Sequence, residues 1–329
     1  MRWPVLLCVF FLGQCVRSST THDLTPVANA TITIDAQPVP LYADNLEHSR
    51  IGALEYLGGW RLTSDNPAFG GLSSLDVAGN SVTALSDAGG LVRFRIGKFG
   101  HISNATIAPV PAGCGGGREK TGRDTESIAH DRWSGHWWIG FEWRNVICRT
   151  NGDLGIGERV TQPPQMANWS RSSGPETLLR LTGGRFLAIA EANPQGGKIR
   201  PIVMFGGDPT DPKIPRVMLG YLPPTGFSPT DATELPDGRI LILNRSFALT
   251  SLFTACVTMI DPKSIRGGAV LHGPVIARFE SPAISENFEG IASGTENGRT
   301  VVWIISDDNF ASWQRTLLLK FALTEARAN

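Results

Sequence analysis

Acidic side chains recur along the chain at matching places, each near the start of a short apolar run. They are Glu126, Glu176, Asp231 and Glu289. If these residues occupy equivalent positions of a repeated fold, their carboxylates converge and repel one another unless a cation lies between them or some stay protonated. Carboxylate oxygens at this density suit Ca²⁺ best. The pattern therefore predicts a calcium site built from these four residues.

A second set of polar residues ends the next apolar run of each repeat. Its members are Asp87, Glu142, Glu191 and Asp307-Asp308, interleaved with Arg144 and Asn244-Arg245. The planar guanidinium of Arg245 can clamp a substrate phosphate or carboxylate, or pair with a carboxylate of a neighbouring repeat. The predicted substrate-binding residues are Arg245, Asp87, Glu142 and Arg144, and the predicted catalytic residues are Glu126, Glu289 and Asp307. Because the second strand runs back, its end can lie at the opposite face, so the two sets need not share a site.

The elements that position these residues follow from the repeat itself. Taking Leu72, Glu126, Glu176, Asp231 and Glu289 as equivalent, the steps are 54, 50, 55 and 58 residues, a period typical of propeller blades. Turn sequences such as Pro236-Asp237-Gly238 separate the two apolar runs of each copy as hairpin loops. An apolar third run often follows, which predicts an all-β propeller with four-stranded antiparallel blades.

Five copies are visible, and residues 21–67 contain enough strand-like sequence for most of one more. We therefore predict six blades, with five as the second choice, and expect the N-terminal segment to close the ring beside C-terminal strands. No linker divides the chain, so residues 19–329 are predicted to form a single domain.

Composition narrows the class of partner. The chain has 30 basic and 30 acidic residues, and only 18% of its residues are charged, which argues against nucleic acid or an anionic membrane surface. A hydrophobic fraction of 41%, with 37 Gly and 22 Pro, indicates a sizeable core and frequent turns. We expect a monomer that acts on a small molecule.

The N-terminus has the pattern of a secretory signal. Arg2 precedes an apolar run over 5–12, and Ser18 suits cleavage after residue 18, so residues 1–18 are predicted to be removed on export to the periplasm or beyond. The run is too short to span a bilayer. Anchoring through a lipidated Cys15 is the weaker alternative. The remaining cysteines, Cys114, Cys148 and Cys256, allow at most one disulfide in an oxidising compartment.

Two further features have ordinary structural interpretations. Trp133, Trp137, Trp138 and Trp143 lie within eleven residues, and we predict that they pack between blades rather than stack on a sugar. His130 could act as a general base, although a surface histidine is the simpler interpretation. No serine-hydrolase elbow, zinc H-E-x-x-H or phosphate-binding G-x-x-x-x-G-K-[ST] sequence occurs in the chain, so none of these chemistries has local support.

Several segments together resemble a known family. They are 69–75 (FGGLSSL), 86–89 (SDAG), 124–128 (DTESI), 287–292 (NFEGIA) and 306–310 (SDDNF). The similarity covers roughly residues 51–323, which is nearly the whole predicted mature chain, and the segments resemble the bacterial "esterase-like activity of phytase" family. It implies an exported β-propeller related to calcium-dependent propeller phytases, and hydrolysis of an ester or phosphoester. The chain departs from those phytases because no cluster of Lys and Arg occupies one inner-strand position, which disfavours a hexaphosphate substrate.

These observations lead to one functional prediction and its alternatives. The leading prediction is an exported, metal-dependent hydrolase of a phosphoester or carboxylic ester, in which bound Ca²⁺ polarises the ester and lowers the pKa of a water molecule. The first alternative is a non-catalytic propeller that binds a sugar, a polyol or a protein at its channel mouth. The second is a lactone hydrolase similar to gluconolactonase-type propellers.

Overall fold

The computed structural model describes residues 24–26, 28–114 and 122–324. The predicted signal sequence, residues 1–18, lies outside the described residues. Within them, no helix is long and apolar enough to cross a membrane. Short 3₁₀ turns occur at Lys98–Gly100, Pro164–Met166 and Pro262–Ser264, and nearly all other regular structure is β-strand.

The strands are numbered in chain order. The first eight are β1 (Ala30–Thr31), β2 (Asp35–Pro38), β3 (Arg50–Ile51), β4 (Leu54–Thr63), β5 (Leu72–Ala78), β6 (Ser81–Ser86), β7 (Gly90–Ile96) and β8 (Ile102–Pro109). The next eight are β9 (Thr125–His130), β10 (Trp137–Phe141), β11 (Val146–Thr150), β12 (Gly157–Thr161), β13 (Pro175–Arg180), β14 (Phe186–Ala190), β15 (Arg200–Phe205) and β16 (Arg216–Tyr221). The last eight are β17 (Ser228–Glu234), β18 (Ile240–Ala248), β19 (Leu252–Ile260), β20 (Val270–Leu271), β21 (Val275–Phe279), β22 (Phe288–Glu296), β23 (Arg299–Ser306) and β24 (Leu317–Leu323).

These strands form five sheets, which are the blades of a propeller. From the channel outwards, blade 1 is β5-β6-β7-β8-β1, blade 2 is β9-β10-β11-β12, blade 3 is β13-β14-β15-β16-β20, blade 4 is β17-β18-β19-β21 and blade 5 is β22-β23-β24-β4-β2. Each inner strand packs beside the next around the ring, and β22 packs against β5 to complete it. The all-β propeller with blades of roughly four strands is confirmed.

The predicted number of blades is wrong, because the described chain forms five rather than six. The N-terminal strand β4 does not begin a blade of its own. It pairs with β24, from Leu54 opposite Leu323 to Arg61 opposite Leu317, and so serves as the fourth strand of blade 5. The expectation that the N-terminal segment closes the ring beside C-terminal strands is therefore confirmed.

The core lies between neighbouring blades. Each of five clusters of buried apolar side chains joins one pair of sheets. Between blades 2 and 3, for example, one cluster contains Ile147 of β11 and Val203 of β15. Trp137 and Trp138 belong to this core as predicted, but Trp133 is 96% exposed and Trp143 is 39% exposed. The prediction that all four tryptophans are core residues is therefore wrong for these two, which lie in turns where no neighbouring sheet covers them.

One disulfide joins Cys114, in the segment before blade 2, to Cys148 on β11, and Cys256 is a buried free thiol. This arrangement agrees with the limit of one bridge. Because the bridge closes a loop with a sequence separation of 34 residues, it restricts the unfolded chain.

Replacing both bridged cysteines by Ala should lower the free energy of unfolding by about 3–4 kcal/mol, as loop-closure entropy suggests for a bridge of this span. Urea denaturation measures the change. The control is Cys256→Ala, which keeps the bridge. Reductant should lower the free energy of unfolding of this control, but it should not change that of the double variant. An equal response of both proteins to reductant would contradict a stabilising bridge.

Candidate functional site

A β-bulge near the start of every inner strand positions the first set of functional side chains. In each blade the pairing with the second strand skips one inner-strand residue, and the skipped residues are Ser73, Glu126, Glu176, Thr230 and Glu289. A bulge re-aims the side chain of the extra residue. Glu126, Glu176 and Glu289 are thus structurally equivalent, whereas the true equivalents in blades 1 and 4 are the hydroxyl residues Ser73 and Thr230.

The second set lies at the same end of the channel. Ser86 pairs with Leu72, and Ser306 pairs with Phe288, because the end of one antiparallel strand stands beside the start of its neighbour. The residues that reach this edge are Asp87, Glu142, Glu191, Arg245 and Asp307. This corrects the expectation that the two sets could occupy opposite faces.

We call this end of the channel the acidic mouth. It comprises the five bulge residues, the five residues of the second set, and Asp124 and Asn287. Glutamate or aspartate occupies seven of the ten ring positions. The acidic mouth therefore brings together all the predicted catalytic residues and three of the four predicted metal ligands.

Arg245 lies among these carboxylates and joins three blades. Its guanidinium in blade 4 donates to Glu191 of blade 3 at 3.0 Å and to Asn287 of blade 5 at 2.8 Å, and it also contacts Glu289. Burial would lower the pKa of Arg245, but the surrounding carboxylates raise it above its usual value. Of the two roles that the sequence left open for Arg245, the structure therefore shows the second, pairing with carboxylates of neighbouring blades.

The tightest group of carboxylates belongs to blade 2. One oxygen each from Asp124, Glu126 and Glu142 lie within 4.8 Å of one another, and the Glu142 carboxyl shares hydrogen bonds with Asp124 and with Glu176 of blade 3. Such close oxygens can bind a hard divalent cation. In blade 4, the buried hydroxyl of Thr230 makes no hydrogen bond with any described residue.

Protonation is the other means by which these groups relieve their repulsion. Burial first, and then neighbouring carboxylates, raise the pKa of Glu126, Glu176 and Asp307 well above the usual range. Burial raises the pKa of Glu142 to about 8 and the pKa of Glu289 to about 7. The increase at Glu289 is smaller because the positive charge of Arg245 opposes it. Without a cation, several of these carboxyls therefore hold protons at neutral pH.

Asp231 has different partners from the other three predicted ligands. It lies one residue beyond the bulge, with one oxygen accepting the N–H of Ala232 at 2.8 Å and the other accepting the N–H of Ile291 in blade 5 at 2.9 Å. Ser74 accepts the N–H of Ile128 in the same way between blades 1 and 2. Asp231 thus links blade 4 to blade 5 by a hydrogen bond. Burial raises the pKa of its carboxyl group.

Other predicted residues are dispersed. Arg144 lies in an exposed turn, and lines a separate pocket of about 440 Å³ with Trp143. Asn244 is buried and accepts a hydrogen bond from the Tyr221 hydroxyl at 2.8 Å. Asp308 accepts the N–H of Gly71 at 2.9 Å and so fastens blade 5 to blade 1. His130 lies at the other end of β9 from Glu126.

Sequence reasoning missed Asp124 and Asn287 as site residues. Both stand two residues before a bulge glutamate, and their carbonyl oxygens accept the backbone N–H groups of Glu142 and Asp307. The repeated spacing of a polar residue, one intervening residue and Glu in blades 2 and 5 was the available signal.

Comparisons with solved structures find distant similarities. The β-propeller domain of Cps50 (Swd1) from Myceliophteria thermophila is 11% identical with a TM-score of 0.41, covering 87% of this chain and 99% of that one. A luciferin-regenerating enzyme is 11% identical with a TM-score of 0.44, covering 88% and 98%. Hydrazine synthase from Kuenenia stuttgartiensis is 15% identical with a TM-score of 0.39, covering 72% and 64%. A comparison with curated proteins finds no match.

The fold and the acidic mouth define a five-bladed propeller whose channel ends in carboxylates from four blades. The family comparison is more specific, matching residues 67–310 to the phytase-like family, described as esterase-like activity of phytase. The chain belongs to this family, as the sequence motifs predicted.

Asp231→Ala should lower the free energy of unfolding by about 1–3 kcal/mol, because it leaves the buried N–H of Ile291 without its acceptor. Calorimetric titration should show that the affinity for Ca²⁺ is unchanged. Glu176→Gln is the comparison, since it removes a carboxylate at the bulge position itself. Weaker Ca²⁺ binding by Asp231→Ala, with stability preserved, would identify Asp231 as a ligand.

Metal-free protein should become less stable as pH rises from about 5 to about 9. The folded-state pKa values of Glu289 and Glu142 are raised to about 7 and about 8. The stability that these two carboxyl groups contribute is therefore fully present at pH below their unfolded-state pKa, and it is lost as the pH rises through their folded-state pKa values. Melting temperatures in chelator measure this, and Glu142→Gln should reduce the slope. A melting temperature that does not change over this pH range would contradict the retention of protons by Glu142 and Glu289.

Proposed function

We propose that the protein is a metal-dependent hydrolase of a carboxylic ester or a small phosphoester, with its site at the acidic mouth. The observation that supports this most directly is the group formed by Asp124, Glu126 and Glu142, whose oxygens lie within 4.8 Å. Membership of the phytase-like family agrees with hydrolysis of this class.

The chemistry of the donors fits a hard divalent cation. Asp124, Glu126 and Glu142 would hold Ca²⁺, with Glu176 beside them through its hydrogen bond with Glu142. A bound divalent ion there would polarise an ester oxygen and acidify a water molecule. The ligands must lose their protons first, so metal binding releases protons and strengthens as pH rises.

The remaining residues of the mouth have roles that need no metal. Glu289 and Asp307 lie on the blade 5 side, where Glu289, with its pKa raised to about 7, is suited to accept or donate a proton near neutral pH. Arg245 holds Glu289 and Glu191 in place through its two ion pairs, which makes it a positioning residue in this scheme.

The charge of the mouth limits the substrate. Carboxylates occupy seven of the ten ring positions, and Arg245 already pairs with two of them. A highly charged phosphate such as phytate would meet strong repulsion there. An ester with one negative charge or none fits better.

Export is part of the proposal. The basic residue and apolar run at the N-terminus follow the pattern of a signal sequence, and the Cys114–Cys148 disulfide suits an oxidising compartment such as the periplasm or the exterior. We also propose that the mature protein acts as a monomer.

The test is hydrolysis of p-nitrophenyl acetate, p-nitrophenyl phosphate, phytate and a lactone, each with Ca²⁺ and with chelator. Turnover of an ester should stop in chelator. Glu142→Gln should weaken Ca²⁺ binding by about tenfold or more, because one unit of charge next to the ion is lost. Glu158→Gln is the matched control, since Glu158 lies on the outer strand β12 and pairs with Arg149.

Each other outcome has a definite meaning. Absence of turnover, combined with a Ca²⁺-dependent rise in melting temperature that Glu142→Gln abolishes, would identify the mouth as a binding site without hydrolysis. Turnover of the lactone alone would support the lactonase alternative. Turnover that survives both chelator and Glu142→Gln would contradict the metal site.

A further inference from the structure

The end of the channel opposite the acidic mouth contains a pocket of about 660 Å³. Residues of all five inner strands line it, together with the turn that follows β9. His130 lies four positions after Glu126 on β9, so the pocket lies about 13 Å along the strand from the acidic mouth. We call this end the second mouth.

The charges of the second mouth are paired with one another. Arg132 pairs with Asp76 at 3.0 Å, and Arg180 pairs with Asp131 at 3.1 Å. Glu234 accepts hydrogen bonds from the backbone N–H and the hydroxyl of Thr182. The lining therefore offers fixed guanidinium, carboxylate and hydroxyl groups, and its two arginines, Arg132 and Arg180, offset half the charge of its four acidic residues.

Trp133 supplies an apolar surface at the rim of this pocket. Its side chain is 96% exposed, although indole is among the side chains with most to gain from burial. Its neighbours Trp137 and Trp138 on β10 are both buried. An exposed large apolar group beside a pocket is typical of a ligand-binding surface.

The turn that carries Trp133 is held in place by hydrogen bonds. Asp131 accepts the backbone N–H of Trp133 at 3.0 Å and the hydroxyl of Ser134 at 2.8 Å, and it also pairs with Arg180 across the boundary to blade 3. Gly135 donates its N–H to the backbone oxygen of Asp131. The base of the indole is thus fixed before any ligand arrives, which lowers the entropy cost of binding.

We propose that the second mouth binds a neutral sugar, with one ring stacked on Trp133 and its hydroxyls bonded to the paired charged groups of the lining. The C–H face of a pyranose is apolar and its rim consists of hydroxyls, which are both donors and acceptors. The second mouth offers the matching combination, an indole face next to guanidinium donors and carboxylate acceptors. The volume accommodates one or two sugar rings.

Other ligand classes fit this lining less well. A polyanion would have to separate Arg132 and Arg180 from their carboxylates. A metal ion would find two of the four acidic residues paired with arginine and the other two hydrogen-bonded, Asp231 to backbone N–H groups and Glu234 to Thr182. An organic cation could stack on Trp133, so a separate titration with choline is included in the test.

The test follows indole N–H signals of isotope-labelled protein by NMR during titration with cellobiose, maltose and diacetylchitobiose. The signal missing from Trp133→Phe and Trp133→Ala identifies Trp133. At least one disaccharide should shift this signal with saturation below about 10 mM. Trp133→Ala should weaken binding by about tenfold or more, as loss of an aromatic stacking partner does, and Trp133→Phe should bind at an intermediate level.

Trp313→Ala is the matched control, because Trp313 is also exposed, at 61%, but does not line this pocket. It should bind the sugar as the unchanged protein does. Because Trp133 is exposed, melting temperatures of its variants should remain unchanged. No saturable shift with any disaccharide, equal binding by Trp133→Ala, or a shift caused only by choline would overturn the proposal.

Discussion

The electrostatic balance at the acidic mouth depends on Arg245. Five bulges direct side chains to one end of the channel, and most of the side chains at that end are acidic. Arg245 compensates part of this charge and holds blades 3, 4 and 5 at a common point. The rest of the charge is compensated by protons in the absence of a cation, so the arrangement of the blades and the protonation of the mouth are linked.

Much of this architecture could be predicted from the sequence, since the period of about 54 residues, the hairpin turns and the family motifs all indicate a propeller. The number of blades could not, because the apolar run that became β4 looks the same whether it begins a new sheet or completes the last one. Only pairing with β24, more than 250 residues away, distinguishes the two cases.

The site shows the same division. Glu126, Glu176 and Glu289 were aligned correctly, because each is followed by one small residue and then by two apolar residues, as in Ser127-Ile128-Ala129. Asp231 was aligned one residue out of register. A bulge adds one residue without a consistent sequence mark, and a shift of one residue along a strand sends the side chain to a different face. The carboxylate of Asp231 consequently links two blades, whereas Thr230 occupies the bulge position at which blades 2, 3 and 5 have a glutamate.

Closure of the ring also determines the order in which the molecule can be completed. The backbone oxygen of Ala53 accepts the hydroxyl of Thr324, a contact that spans 271 residues, and β4 has no partner for its inner edge until β24 has been made. A chain emerging from its N-terminus therefore carries an open strand edge throughout its synthesis, and such edges promote wrong pairing and aggregation. Contacts of this range also make folding slow. Passage through a membrane as an unfolded chain, with folding only afterwards, would let both halves of blade 5 meet at once.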